Sequence, residues 1–133
     1  MAPMAHNGLP KEEILRTLGA IDTLFARGRR GTAMPLRYVW RIEPAEGIHA
    51  ESAPVEVLFS VPKKFFKRAN KRNLLRRRIK ESYRTAKHPL VERVRERGMH
   101  LTMAFIYSSK EISDYNTIND AVVKALSQIC ERM

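Results

Sequence analysis

The residues of this chain best suited to chemistry are cations, crowded into one stretch. From Lys63 to Arg84 the run KKFFKRANKRNLLRRRIKESYR holds eleven Lys and Arg in twenty-two positions, with Glu81 alone opposing them. The whole chain carries 25 Lys and Arg against 14 Asp and Glu, and setting this run aside leaves 14 against 13. The excess charge therefore belongs to a single segment of a nearly neutral chain. A field so concentrated suits a polyphosphate partner, because each phosphate it neutralises releases condensed counterions. RNA or DNA is the partner this pattern implies.

Solvated helix faces and disordered basic tails also produce charge runs. This one lies inside the chain, is interleaved with Phe65, Phe66, Leu74, Leu75, Ile79 and Tyr83, and contains neither Gly nor Pro. It can therefore fold. At about 100° per residue, Leu75, Ile79, Tyr83 and Ala86 share one stripe of a helix while Asn73, Arg77, Lys80 and Arg84 share another. One side packs into a core and the other presents a rigid comb of charge.

Other chemistry finds little support. His6, His49, His88 and His100 are scattered, and Cys130 is the only cysteine, so neither a metal site nor an intrachain disulfide is expected. Phosphate-binding glycine loops and a nucleophile elbow are absent from the sequence. Asp22, Asp114 and Asp120 offer no local carboxylate cluster of the kind a metal-dependent protein nuclease needs. No apolar stretch approaches the roughly 20 residues that cross a bilayer, and the N-terminus lacks a secretory pattern. The expectation is a soluble cytoplasmic protein with no membrane association and no evident obligate protein partner.

The elements that must position the cations follow from periodicity. With 133 residues, 44% of them hydrophobic, the chain fits one domain with a real core. Residues 1–9 read as a flexible lead-in and 10–133 as a single RNA-binding α+β domain. A helix is predicted from Pro10 to Gly28, with Ile14, Leu18, Ile21 and Phe25 at three- and four-residue spacing. Leu36, Tyr38, Trp40 and Ile42 then alternate with Arg37, Val39 and Arg41, as in a half-buried strand. Residues 43–54 read as a long exposed connection, and 55–61 as an apolar strand ended by Pro62. After the basic helix, limited by Pro89, residues 98–108 read as a central strand. A last helix follows the cap candidate Asp114, carrying Ile118, Val122, Ala125 and Ile129. The resulting order is α-β-β-α-β-α: a small mixed sheet packed with helices, the basic helix crossing over between parallel strands.

The segment SVPKKFFKRANKRNLLRRRIKE, beginning at Ser60, resembles the characteristic stretch of the bacterial ribonuclease P protein component family. That stretch is a strand end, a lysine pair, a short basic turn and R-N-x-x-K-R opening a helix. Arg72 and Asn73 match its R-N, and Arg76 and Arg77 match its K-R with Arg for Lys. Upstream, IDTLFARG at 21–28 resembles the family's F-x-x-V-F-x-x-G, with Ile21 in place of the first Phe. Element order and length agree, so the resemblance covers nearly the whole chain. Leu74 stands where the family usually has a second Arg, and the turn after Lys64 is one residue longer and lacks the usual Gly.

The resemblance implies a protein subunit that joins a catalytic RNA, the ribonuclease P RNA, to remove the 5′ leader of precursor tRNA. It implies that the RNA and its Mg2+ ions perform the hydrolysis, that the protein alone binds no cofactor and holds no catalytic residue, and that the leader lies in a cleft between the first helix and the sheet. It also implies a left-handed crossover around the basic helix. The residues expected on RNA are Lys63, Lys64, Lys67, Arg68, Arg72, Asn73, Arg76, Arg77, Lys80 and Arg84, since guanidinium forks take paired phosphate oxygens and an amide both donates and accepts. Arg78 points to another sector and reads as a solvated cation, and Arg29 and Arg30 add charge near the same entrance. Phe25 and Tyr38 are candidates for the leader cleft, with core packing as the competing role for both. A ribosomal or RNA-chaperone protein with the same basic helix is the competing class.

Overall fold

The computed structural model describes residues 9–45 and 53–133. The rest of the lead-in, 1–8, and the middle of the exposed connection, 46–52, lie outside the described residues. Eight principal elements follow in order: α1 (Leu18–Arg27), β1 (Arg29–Ala33), β2 (Leu36–Pro44), β3 (Val55–Ser60), α2 (Ala69–Ala86), α3 (His88–Glu96), β4 (Met99–Tyr107) and α4 (Tyr115–Arg132). The strands form one sheet in the order β1-β2-β4-β3. β2 runs antiparallel to β1 and β4, and β3 runs parallel to β4, so α2 and α3 make the crossover between parallel strands.

Alternation sends the two sheet faces to different partners. Leu36, Tyr38 and Trp40 of β2, Val55, Val57 and Phe59 of β3, and Leu101, Met103, Phe105 and Tyr107 of β4 join the main core. They pack there with Leu75, Ile79 and Tyr83 of α2, Leu90 and Val94 of α3, and Ile118, Val122 and Ile129 of α4. The ring centroids of Phe59 and Tyr83 lie 5.9 Å apart at 65°, an edge-to-face contact between sheet and basic helix. On the opposite face α1 covers a smaller cluster of Leu15, Leu24, Val39 and Ala104.

The first helix is shorter than its periodicity predicts. Pro10 leads into a single 3-10 turn, Lys11–Glu13, and the chain then runs extended until Thr17. Ile14 bridges Val57 in parallel and the Leu15 N–H donates to Val57 O at 2.9 Å. β3 is an edge strand, and its unpaired backbone competes successfully with a marginal first helical turn. Leu15 is buried in this way, while Leu18 of the predicted apolar stripe is 76% exposed.

Two elements are not legible in the sequence. Arg29–Ala33, between the predicted first helix and the strand opened by Leu36, form strand β1, where alternation is hidden by the polar run RRGT. Gly31 pairs with Tyr38 across the strands, and a Cβ there would collide with the Tyr38 ring. Pro89 does limit the basic helix, but it sits in the first turn of a further helix, α3, where its missing N–H costs nothing. Gly98, at φ 63°, then turns the chain into β4.

Candidate RNA interface

α2 owes its orientation to four buried side chains, Leu75, Ile79, Ser82 and Tyr83, which turn the remaining sectors outward. Lys63, Lys64, Lys67, Arg68, Asn73 and Arg77 are exposed, whereas Arg72, Arg76, Lys80 and Arg84 are half-buried. All ten belong to the turn after β3 or to α2, and therefore to one continuous segment.

Within that segment the cations differ in what holds them. Arg72 Nη1 donates to the carbonyls of Phe66 and Lys67, each at 2.8 Å, tying the basic turn to the helix. Phe66 anchors the same turn from below, its ring 5.8 Å from that of Tyr107. Lys64 Nζ sits 5.1 Å from the centroid of the Phe65 ring. Arg76 Nη1 donates to Asn73 Oδ1 at 2.8 Å, so the amide orients the guanidinium. Arg84 forks onto Glu81 at 2.9 and 2.5 Å, and that hydrogen bonding holds the Glu81 carboxyl below its ordinary range. Among the described residues no hydrogen bond or ion pair engages the Arg77 side chain.

Arg78, expected to be a solvated cation, instead fastens two parts of the fold. Its Nη1 donates to Ser113 O at 2.6 Å and ties α2 to the loop before α4. Nothing in the local sequence signals this partner, which lies 35 residues away.

The sheet face beneath α1 is ordered in cross-strand rows. Val39, Ala104 and Leu58 form the middle row, in the apolar cluster under α1. On one side lie Arg41, Thr102 and Glu56, where Arg41 pairs with Glu43 and His100 Nε2 lies 2.9 Å from Glu56 Oε1. On the other side lie Arg37, Ile106 and Ser60, with Arg37 exposed and Thr32 of β1 opposite it. Ser60 leads within four residues to Lys63 and Lys64, so this last row and the basic turn are neighbours along the chain.

Phe25 sits half-buried on α1, packed against the small apolar cluster. Arg30 Nη2 donates to its backbone carbonyl at 2.7 Å. Tyr38 is different. It is 2% exposed on the face opposite α1, in the main core, and its hydroxyl donates to Gln128 of α4. Burial pushes that hydroxyl above its ordinary pKa, with Arg132 pulling it down. Its assignment to a cleft between α1 and the sheet is therefore corrected: a strand sends successive side chains to opposite faces, and Arg37, Val39 and Arg41 are the β2 residues on the face that α1 covers. The alternation of 36–42 contains this information, but not the face that α1 covers.

Among the described residues no group of three or more His, Cys, Asp or Glu side chains is placed to hold a metal ion. None of their helices is long and apolar enough to cross a membrane.

A cationic helix crossing over between parallel strands, beside an amphipathic sheet face half covered by a short helix, defines an α+β nucleic-acid-binding protein. The sequence model of the Ribonuclease P family matches residues 9–132, and the chain belongs to that family. It is 38% identical over 129 residues to the ribonuclease P protein component of Porphyromonas gingivalis, covering 97% of this chain and 91% of that protein. The corresponding protein of Chlorobaculum tepidum is 36% identical over 109 residues, covering 78% and 70%. Among solved structures, the RNase P protein of Thermotoga maritima superposes with a TM-score of 0.62 at 19% identity, over 87% of this chain and 96% of that one. A Staphylococcus aureus RNase P protein mutant superposes with a TM-score of 0.66 at 14% identity, over 91% and 90%. The likeness to both structures is one of fold.

Proposed function

We propose that this chain is the protein subunit of ribonuclease P, a ribonucleoprotein endoribonuclease, and that it binds the ribonuclease P RNA through α2 and its preceding turn. The observation that carries this reading is the gathering of nearly all of the chain's charge excess on one helix and the turn before it, in a Ribonuclease P family fold. In this reading the protein holds and neutralises phosphates while the RNA, with its Mg2+, carries out hydrolysis. The 5′ leader of precursor tRNA lies against Phe25 and the row of Arg37, Ile106 and Ser60, where an aromatic edge, an apolar floor and one guanidinium suit a single strand. The two surfaces meet at Lys63 and Lys64, which bridge leader and RNA subunit. Such work belongs in the cytoplasm, where precursor tRNA is made in bacteria.

Precursor tRNA incubated with the RNA subunit, the protein or both tests the proposal. The expected result is leader removal by the RNA, accelerated by the protein at modest Mg2+, and none by the protein alone. Binding without acceleration would favour a purely structural RNA-binding protein. Cleavage by the protein alone would overturn the division of labour.

A further inference from the structure

A groove of about 470 Å³ opens between the outer side of α2 and the first turn of α4. Its walls are of two kinds. Leu74 and Tyr115 supply apolar and aromatic surface, with Leu9 at one side, while Arg77, Lys80 and Arg84 supply charge. The carboxylate that lines it, Glu81, is engaged by the Arg84 fork. Tyr115 is 36% exposed and Leu74 half-buried, so neither ring nor side chain is consumed by the core.

Tyr115 is presented there by several fastenings. Asp114 caps α4 by accepting the Thr117 N–H at 2.8 Å, Arg78 holds Ser113 O, and Ser82 Oγ donates to Asn119 Oδ1 at 3.0 Å. The start of α4 is thus pinned to α2, and the phenol ring stands at a fixed place beside the cationic comb. A regular RNA duplex offers a helix mainly phosphates and 2′-hydroxyls, for which an aromatic wall is of no use. An unpaired base offers a π-face to stack, with phosphates on either side.

We propose that this groove seats one unpaired nucleotide of the ribonuclease P RNA, its base against Tyr115 and Leu74 and its flanking phosphates on Arg77 and Lys80. The inference rests on the RNA-partner reading above and adds recognition of an unstacked base to contacts with phosphate. Leu74, which departs from the usual arginine of the family pattern, is then a wall of the base site rather than a lost charge.

The test is binding of ribonuclease P RNA, transcribed from the source genome, by the wild type, Tyr115→Ala and Tyr115→Phe across a salt series. Chemical probing of the RNA and protein melting temperatures accompany it. Tyr115→Ala should weaken binding by about 5- to 150-fold, the range for loss of one base-aromatic stack. The salt slope should stay unchanged, because the lost contact is uncharged. Tyr115→Phe should keep most of the affinity, and one unpaired base shielded by both the wild type and Tyr115→Phe should become reactive with Tyr115→Ala. Equal affinity of Tyr115→Ala and the wild type would overturn the proposal. So would a uniform loss of all protections with a lowered melting temperature, which would assign Tyr115 to the fold. Failure of the wild type itself to bind would overturn the RNA-partner reading and the groove with it.

Discussion

Arg77 and Arg72 lie five residues apart on the same helix, and the structure separates what their loss should do. Arg77 is exposed, and among the described residues nothing holds its side chain. Arg72 commits one guanidinium nitrogen to two carbonyls of the turn. Arg77→Ala should therefore leave stability unchanged and remove one phosphate contact, lowering the slope of log affinity against log salt by about 0.7 to 0.9. Across a fourfold rise in salt, from about 50 to about 200 mM, that slope change is worth roughly a 3-fold smaller loss of affinity than the wild type suffers. Arg72→Ala should act on the fold as well. Two hydrogen bonds from a charged, partly exposed donor are lost, for roughly 1 to 2 kcal/mol after solvent screening. Filter binding or fluorescence titration of the ribonuclease P RNA at several salt concentrations, beside urea unfolding of the protein, measures both quantities. An unchanged slope for Arg77→Ala with native stability would remove that guanidinium from the RNA. A fully stable Arg72→Ala would refute the turn-fastening role.

Phe25→Ala should weaken precursor tRNA binding by the assembled ribonucleoprotein about 5- to 150-fold while sparing mature tRNA, as expected for loss of one stacked base; an equal loss for both forms, with a lowered melting temperature, would make Phe25 a core residue. Among the described residues the buried Tyr83 hydroxyl has no hydrogen-bond partner, so Tyr83→Phe should stabilise the protein by about 1 kcal/mol or more in urea unfolding, and a clear destabilisation would reveal a partner for that hydroxyl. Asp114 is held below its ordinary pKa by its bond from Thr117, so the stability it contributes is present above its unfolded value and is lost as pH falls through the folded one. Asp114→Ala should accordingly lower the melting temperature at neutral pH, with the gap closing in acid; a gap independent of pH would exclude the ionised cap as its cause.

What the sequence determined by itself was whatever depends on near neighbours along the chain. The charge of 63–84, its apolar stripe and the Asp114 cap are local properties, and the basic helix, the last helix and the apolar strands formed where their periods placed them. The parallel pairing of β3 with β4 was legible from the helix between them. Tertiary structure decided the matters that depend on distant partners. Ile14 and Leu15 have a helical pattern, but the open edge of β3 offers them a backbone partner more than 40 residues away. The run RRGT shows no strand alternation, yet it pairs with β2 because Gly31 leaves room for Tyr38. Most consequential for function, alternation divides β2 into two sets without saying which set meets α1. Only the packed sheet sends Tyr38 to the main core and Arg37 to the face that α1 covers, since the same two-residue period describes either choice until the helices have chosen their faces.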